Sequence, residues 1–221
     1  KETQMILGYD VETTGLPAWN DPSDASHQPH VIQIAMIRQR MDGSEIDRFV
    51  SIVKPGRGAV MEPMAFEAHG ITLERAMDEG ADPVEVVERF LDWAGSAQLM
   101  VGHNESFDRR LMRIMAARHK GFKWEPGCPN FCTLYRSKFV INLPPTPKMV
   151  AAGMPGPKAP NLGECIQHFF GETLEGAHDA AVDIEASLRV MWHLINEVGV
   201  PMFKAARAPR VSSKSVRGTG H

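Results

Sequence analysis

The strongest constraint on this chain is the stretch QMILGYD at residues 4–10, a nearly continuous apolar run that is short for a helix and ends in a carboxylate. Such a run reads as a central strand buried on both faces, because a strand with one wet face alternates apolar and polar residues. Two later runs, VIQIAMIRQR and DRFVSIV, read as further strands, with Asp42-Gly43 between them as a hairpin turn. With 221 residues the chain can bury one sizeable core, and nothing in the spread of apolar residues suggests a second. One domain over residues 1–202 is expected, followed by a loose tail at 203–221 with five basic residues and no acid.

Helices are read from caps and spacing. In DPVEVVERFLDWA, Asp82 is placed to cap, Pro83 suits the first helical position and Glu85 completes a capping-box-like start. Val87, Phe90, Leu91 and Ala94 form the apolar stripe of that helix. QLMVGHN reads as a strand, and a basic helix from about Ser106 to His119 follows with Asp108 in its first turn. The segment Leu143–Asn161, with six prolines and two glycines, reads as an irregular loop. LGECIQHFF predicts a short helix, and HDAAVDIEASLRVMWHLINEV a long one with Ala181, Ile184, Leu188, Met191 and Ile195 at core spacing.

Residues two apart on a strand point to one face, so Asp10 and Glu12 project together from the end of the first strand. Like charges this close repel unless a divalent cation lies between them, and an all-carboxylate site suits Mg²⁺ or Mn²⁺. Taken alone, the pair also reads as a solvated strand end. VGHNESFDRRL then places Asp108 just after a strand, and GAHDAAVDIEA places His178 five residues before Asp183. Five steps of about 100° along a helix would set those side chains roughly 140° apart. His178 is therefore expected in the lead-in before regular helix, where its ring can turn toward the site that Asp183 faces.

The segments DVETTGL, HNESFD and HDAAVD, in this order and at these separations, resemble the three motifs of the DEDDh 3′→5′ exonucleases, the group containing the epsilon-type proofreading subunit of replicative DNA polymerases. The similarity spans about Met5 to Val198, and VIQIA and HGIT (His69 to Thr72) also fall where that family has similar segments. This resemblance implies an α/β, ribonuclease H-like fold with a central mixed sheet of about five strands flanked by helices. It also implies a two-metal phosphodiesterase using Mg²⁺ or Mn²⁺. Asp10, Glu12 and Asp183 would hold one ion, Asp10 would bridge to the second, Asp108 would complete the acidic set and His178 would be the general base. The chemistry is consistent: two divalent ions about 3.5–4 Å apart generate a hydroxide nucleophile and neutralise the leaving 3′ oxygen. A histidine, with an ordinary pKa of about 6.5, is suited to take the proton.

By the same resemblance, the turn Thr14-Gly15-Leu16 receives the terminal nucleotide, with Gly15 permitting close backbone approach and Leu16 and Phe107 packing on the last base. Leu16 and Phe107 read equally as core, Thr14 as a turn hydroxyl, and Asn104 as either a substrate contact or a helix cap. His103 reads as structural. From Arg109 to Gly163 there are ten Lys or Arg against one acid, Glu125, interleaved with Phe122, Trp124, Phe131, Tyr135 and Phe139. That segment predicts a path for a single strand leaving the site, with Arg110 and Arg113 as first phosphate contacts.

Gln33 and Cys132 depart from the pattern, standing where relatives carry glutamate and aspartate. Cys128, Cys132, Cys165 and His168 offer four zinc-type ligands, although packing explains the helical pair more simply. Residues 17–30 read as a surface loop beside the site, a possible lid. The reading that results is a metal-dependent exonuclease on 3′ ends of single-stranded or frayed DNA, releasing 5′-mononucleotides. RNA with the same chemistry is the alternative, followed by a catalytically inactive nucleic-acid or polymerase-associated module. A polymerase or replication partner is compatible with it. No membrane span or signal-peptide layout is present, so an intracellular, cytoplasmic, soluble protein is expected.

Overall fold

The computed structural model of the chain describes residues 4–203, and its first strand, β1 (Met5–Thr13), divides the molecule into two layers. Leu7, Tyr9 and Val11 enter one apolar cluster and Ile6 the other, as the two-residue period requires. After β1 come β2 (Val31–Arg40), β3 (Glu45–Ile52), α1 (Pro63–His69), α2 (Leu73–Glu79), α3 (Pro83–Ser96), β4 (Ala97–Gly102) and α4 (Glu105–Lys120). β5 (Asn130–Cys132), α5 (Thr133–Ile141), α6 (Pro147–Ala151), α7 (Leu162–Phe170) and α8 (Ala180–Asn196) complete the described residues.

The five strands form one mixed sheet in the order β3-β2-β1-β4-β5. β2 is antiparallel to β1 and β3, whereas β1, β4 and β5 run parallel. The expected hairpin closes at Gly43, whose φ of 87° is open to glycine at little cost. On one face α3 and α4 pack over Tyr9, Met36 and Met100, with the Phe90 ring 5.4 Å from Tyr9 and 5.0 Å from Trp124. On the other, α7 and α8 cover Ile6, Ala35, Ile37, Leu99, Val101 and Phe131. Trp124 and Phe131, expected among exposed aromatics, are therefore core residues.

Several elements differ from expectation for identifiable reasons. Asp82 does cap α3, accepting from Val84 N at 2.7 Å, but Glu85 closes no capping box; the reciprocal box is at α7, between Asn161 and Glu164. The proline-rich loop contains one helix, α6, started by Pro147 and capped by Thr146. α1 and α2 have almost no buried side chains and hence no apolar stripe to read; their signals are Pro63 at the start of α1, Gly70 at its end and Thr72 as the cap of α2. In α8, Ile184, Leu188 and Met191 are buried as spaced, while Ala181 and Ile195 are only half-buried.

The loop at 17–30 has a built shape. Gln28 is buried, accepts from Ala18 N at 3.0 Å and donates to Ala18 O at 2.9 Å and Pro22 O at 3.1 Å. From α4, Arg110 donates to Asp21 O at 2.6 Å and Ser23 Oγ at 2.7 Å, and Arg118 donates to Gln28 O at 2.6 Å and Pro29 O at 2.8 Å. The basic stretch from Lys204 onward lies outside the described residues. Among the described residues, no helix is long and apolar enough to cross a membrane.

Close approach of α8 to β1 rests on Gly8, where an added Cβ would stand 3.0 Å from Ile184 Cδ1 and Leu188 Cδ1. Gly8→Val is expected to lower stability by about 1–3 kcal/mol through overpacking. Urea denaturation checks this, and an unchanged midpoint would mean that α8 does not rest on β1 so closely.

Candidate active site

β1, α4 and α8 each bring carboxylates to one end of the sheet. Along β1, Asp10 and Glu12 are partly exposed and alternate with buried Val11 and Thr13, so the pair shares a face as its spacing requires. Pairing of β1 with β4 ends at Gly8↔Val101, and beyond it the Val11 N–H meets Asp108 Oδ1 at 3.1 Å. The start of α4 is fixed from below: fully buried Glu105 accepts from the Tyr9 hydroxyl at 2.8 Å and from Asn130, and pairs with Arg109 at 3.4 Å.

At α8 the lead-in is as expected. His178 precedes the helix with φ 67°, and its backbone N–H donates to Asp183 Oδ2 at 3.1 Å. Asp179 caps α8 by accepting from Ala181 N at 2.9 Å. Gln33, opposite Glu12 in the β1–β2 register, accepts from Ala180 N at 3.1 Å and donates to Asp179 Oδ2 at 3.4 Å. Its amide thus ties the head of α8 to the sheet.

The cluster is costly as a set of bare anions. Burial, then Asp108, pushes the Asp10 carboxyl well above the usual carboxylate range. Burial, then Asp183 and Asp179, pushes Glu12 up to about 8. Burial also raises Asp108 and Asp183, against the hydrogen bonds from Val11 and His178. Asp183 Oδ1 is buried with no hydrogen-bond partner, and ligand atoms of Glu12, His178 and Asp183 lie within 4.8 Å of one another. An orphaned carboxylate oxygen among crowded acids is the donor set a hard divalent cation fits. Cys128, Cys132, Cys165 and His168 form no comparable group among the described residues.

Beside the acids lies a cavity of about 310 Å³ between the turn after β1 and α1, with Glu12 and His178 at one end. Leu16, Met64, Ala68 and Phe107 line it; Leu16 is 74 % and Met64 81 % exposed, so neither belongs to the core. His69 also lines it. Its Nδ1 accepts from Ile71 N at 3.0 Å, which leaves Nε2 to donate to Thr13 O at 3.1 Å. Burial lowers its pKa, consistent with this neutral tautomer. Met64, Ala68 and the role of His69 escape a residue-by-residue reading because α1 has no apolar period; the Pro63 start and Gly70 stop were the available signals.

Other expected contacts are engaged elsewhere. Thr14 is buried and its Oγ1 accepts from His30 N at 2.9 Å, so it is the turn hydroxyl of the two readings. Gly15 admits the Glu62 side chain, which an added Cβ would overlap. Asn104 makes no side-chain cap; it supplies a left-handed backbone, φ 65°, at the entry to α4. Arg110 is held by the 17–30 loop and Arg113 by Glu125, so neither is free as a first phosphate contact.

The raised carboxyls have a measurable consequence. A carboxyl whose folded pKa exceeds its unfolded value contributes stability that is complete below the unfolded pKa and is lost as pH rises through the folded one. For Glu12 that window runs from about 4.5 to about 8. In EDTA the thermal midpoint is expected to fall across this window, to fall less in Glu12→Gln, and to recover on adding Mn²⁺ at the alkaline end. A midpoint that ignores both pH and Mn²⁺ would contradict the electrostatics described.

The family model described as Exonuclease (RNase_T) matches residues 7–191. The chain is 29 % identical to the DNA polymerase III PolC-type of Listeria monocytogenes and 36 % identical to that of Listeria welshimeri, each over 190 residues. Those alignments cover 86 % of this chain but 11 % of each relative, so the chain spans about a tenth of their length. Among solved structures, Escherichia coli Exonuclease I in complex with a dT13 oligonucleotide matches with a TM-score of 0.67 at 20 % identity, over 87 % of this chain and 41 % of that one. Exonuclease I from Methylocaldum szegediense matches with a TM-score of 0.65 at 22 % identity, over 88 % and 41 %. These likenesses identify the fold as ribonuclease H-like, and the family match across nearly all of the sheet and its helices means that the chain belongs to the exonuclease family.

Proposed function

We propose that residues 1–202 form a metal-dependent 3′→5′ exonuclease that removes 5′-mononucleotides from single-stranded or frayed DNA. The observation that carries this reading is the convergence of Asp10, Glu12, Asp108 and Asp183 beside His178, with Asp183 Oδ1 buried and unpartnered. Asp10, Glu12 and Asp183 would hold one Mg²⁺ or Mn²⁺, and Asp10 with Asp108 would share in a second. Bound there, divalent cations lower the pKa of water and neutralise charge on the phosphate and leaving oxygen.

The chain's own groups do the rest. His178 is exposed, and the hydrogen bond from its backbone to Asp183 keeps its ring at the edge of the acidic cluster, where it accepts the proton of the attacking water. The cavity beside Glu12 offers Leu16, Met64 and Phe107 to a terminal base, and its size of about 310 Å³ suits one end residue. This favours attack from a strand end over attack at an internal bond. DNA is favoured because the PolC-type relatives are DNA polymerases by name and the Exonuclease I structure contains dT13. The PolC-type resemblance also supports a polymerase partner.

The carboxylates and the histidine are expected to fail differently. Asp10→Ala or Asp183→Ala removes Mn²⁺ binding together with activity, while His178→Ala keeps most Mn²⁺ affinity and loses about 10²–10⁴-fold in rate. Calorimetric titration and hydrolysis of 5′-labelled DNA and RNA strands, each with Mg²⁺, Mn²⁺ or EDTA, read both. Unchanged turnover in His178→Ala overturns the base assignment, equal cutting of closed circular and linear strands overturns the requirement for a strand end, and faster cutting of RNA overturns the DNA preference.

A further inference from the structure

The basic segment expected to carry nucleic acid is mostly consumed within the fold. Of its ten Lys and Arg, Arg109, Arg113, Lys120 and Lys158 pair with Glu105, Glu125, Glu88 and Glu164, and Arg110 and Arg118 hold the 17–30 loop. Lys123, Arg136, Lys138 and Lys148 make no ion pair or hydrogen bond through their side chains among the described residues. Lys123 lies beyond the far end of α4, a helix that runs away from Asp108 for three turns. The other three belong to α5 and α6.

We propose that α5 is the platform that holds the nucleotides upstream of the cleaved bond, taking a single strand from the acidic site over Tyr135 and Phe139. This deepens the nuclease reading above and rests on it. Position is the first argument. β5 runs parallel to β4 and β1, and α5 begins at Thr133 directly after it, so the helix starts at the sheet end that holds Asp10 and Glu12. His103, just after β4, locks that start through Thr133 Oγ1 at 2.9 Å and Pro160 O at 3.1 Å.

Continuity is the second. A cavity of about 540 Å³ runs from His178 and Asp183 to Asn161 and Leu162 at the head of α7, and α5 packs against α7.

Chemistry is the third. Tyr135 and Phe139 stand one turn apart on α5 and are 58 % and 74 % exposed, although rings of this size are usually covered. Lys138 Nζ lies 5.6 Å from the Phe139 ring, and the Arg136 guanidinium lies over Phe131 with Nε and Nη2 buried and unpartnered. No Asp or Glu occurs between Pro126 and Gly163. Exposed rings beside unpaired cations, in a stretch without acids, fit a polyanion with stacking faces better than a protein surface, and a single strand is such a ligand.

The test uses the full chain, a 5′-fluorescein oligothymidylate of about twelve nucleotides, and anisotropy in Ca²⁺ over a salt series. Tyr135→Ala/Phe139→Ala is expected to weaken binding at least tenfold, since each stacked base contributes roughly five- to hundred-fold. Lys138→Gln/Lys148→Gln is expected to flatten the slope of log affinity against log salt by roughly 1.4, about 0.7 for each phosphate. Lys120→Gln, whose cation is paired with Glu88, should match wild type throughout. Wild-type affinity and salt slope in both double variants, with thermal midpoints confirming folding, overturn the platform. If wild type does not cut the oligothymidylate in Mg²⁺, the nuclease reading fails while the anisotropy still decides the platform.

Discussion

Mutual repulsion among Asp10, Glu12, Asp108 and Asp183 is the constraint around which the structure is arranged. Left to relax, four acids in a partly buried cluster would move apart or take up protons; burial raises all four carboxyls, and the neighbouring carboxylates add to it at Asp10 and Glu12. Each is held by an element that cannot yield. β1 is the middle strand of five and is covered on both faces. α4 is pinned at its start through Glu105, and α8 is pressed onto β1 at Gly8 and tied to β2 by Gln33. Rigid elements supported by a second layer of hydrogen bonds are what a preorganised site requires.

The same economy explains the arginines of α4. A basic run in a sequence states the sign of a surface but not whether its charges are spent internally. Arg110 and Arg118 donate to carbonyl oxygens of Ala18, Asp21, Gln28 and Pro29, and so tie residues 17–30, a candidate lid by sequence, to α4. Buried backbone acceptors are reliable partners for guanidinium, which keeps its charge and presents several donors in a fork. Three of the four cations left over in the basic segment, Arg136, Lys138 and Lys148, lie in the stretch without acids.

Most of the fold was legible because its central elements bury one or both faces and therefore carry a period. β1, β2, β4, α3, α4 and α8 follow from apolar spacing, and the acidic quartet with His178 from the motifs that resemble those of the DEDDh exonucleases. What escaped reading has no such period. α1 and α2 lie on the surface and bury almost nothing, β5 is three residues long, and α6 is a single turn within prolines. The fates of Thr14, Gly15, Arg110 and Arg113 depended on partners far along the chain, His30, Glu62, Asp21 and Glu125, which no local pattern reveals.

Gln33 shows how a departure from a family pattern becomes intelligible once its partners are known. By resemblance a glutamate was the expected residue, and it would accept from Ala180 N as the amide oxygen does. It would lack the N–H that reaches Asp179, and it would add a carboxylate opposite Glu12 in a region already short of positive charge. An amide satisfies an acceptor and a donor at once, at no cost in charge. At position 33 the head of α8 is then tied to β2 by a side chain that does not itself titrate. The hydrogen bond from Ala180 N to Gln33 thus fixes the start of α8 on β2 without adding a charge opposite Glu12.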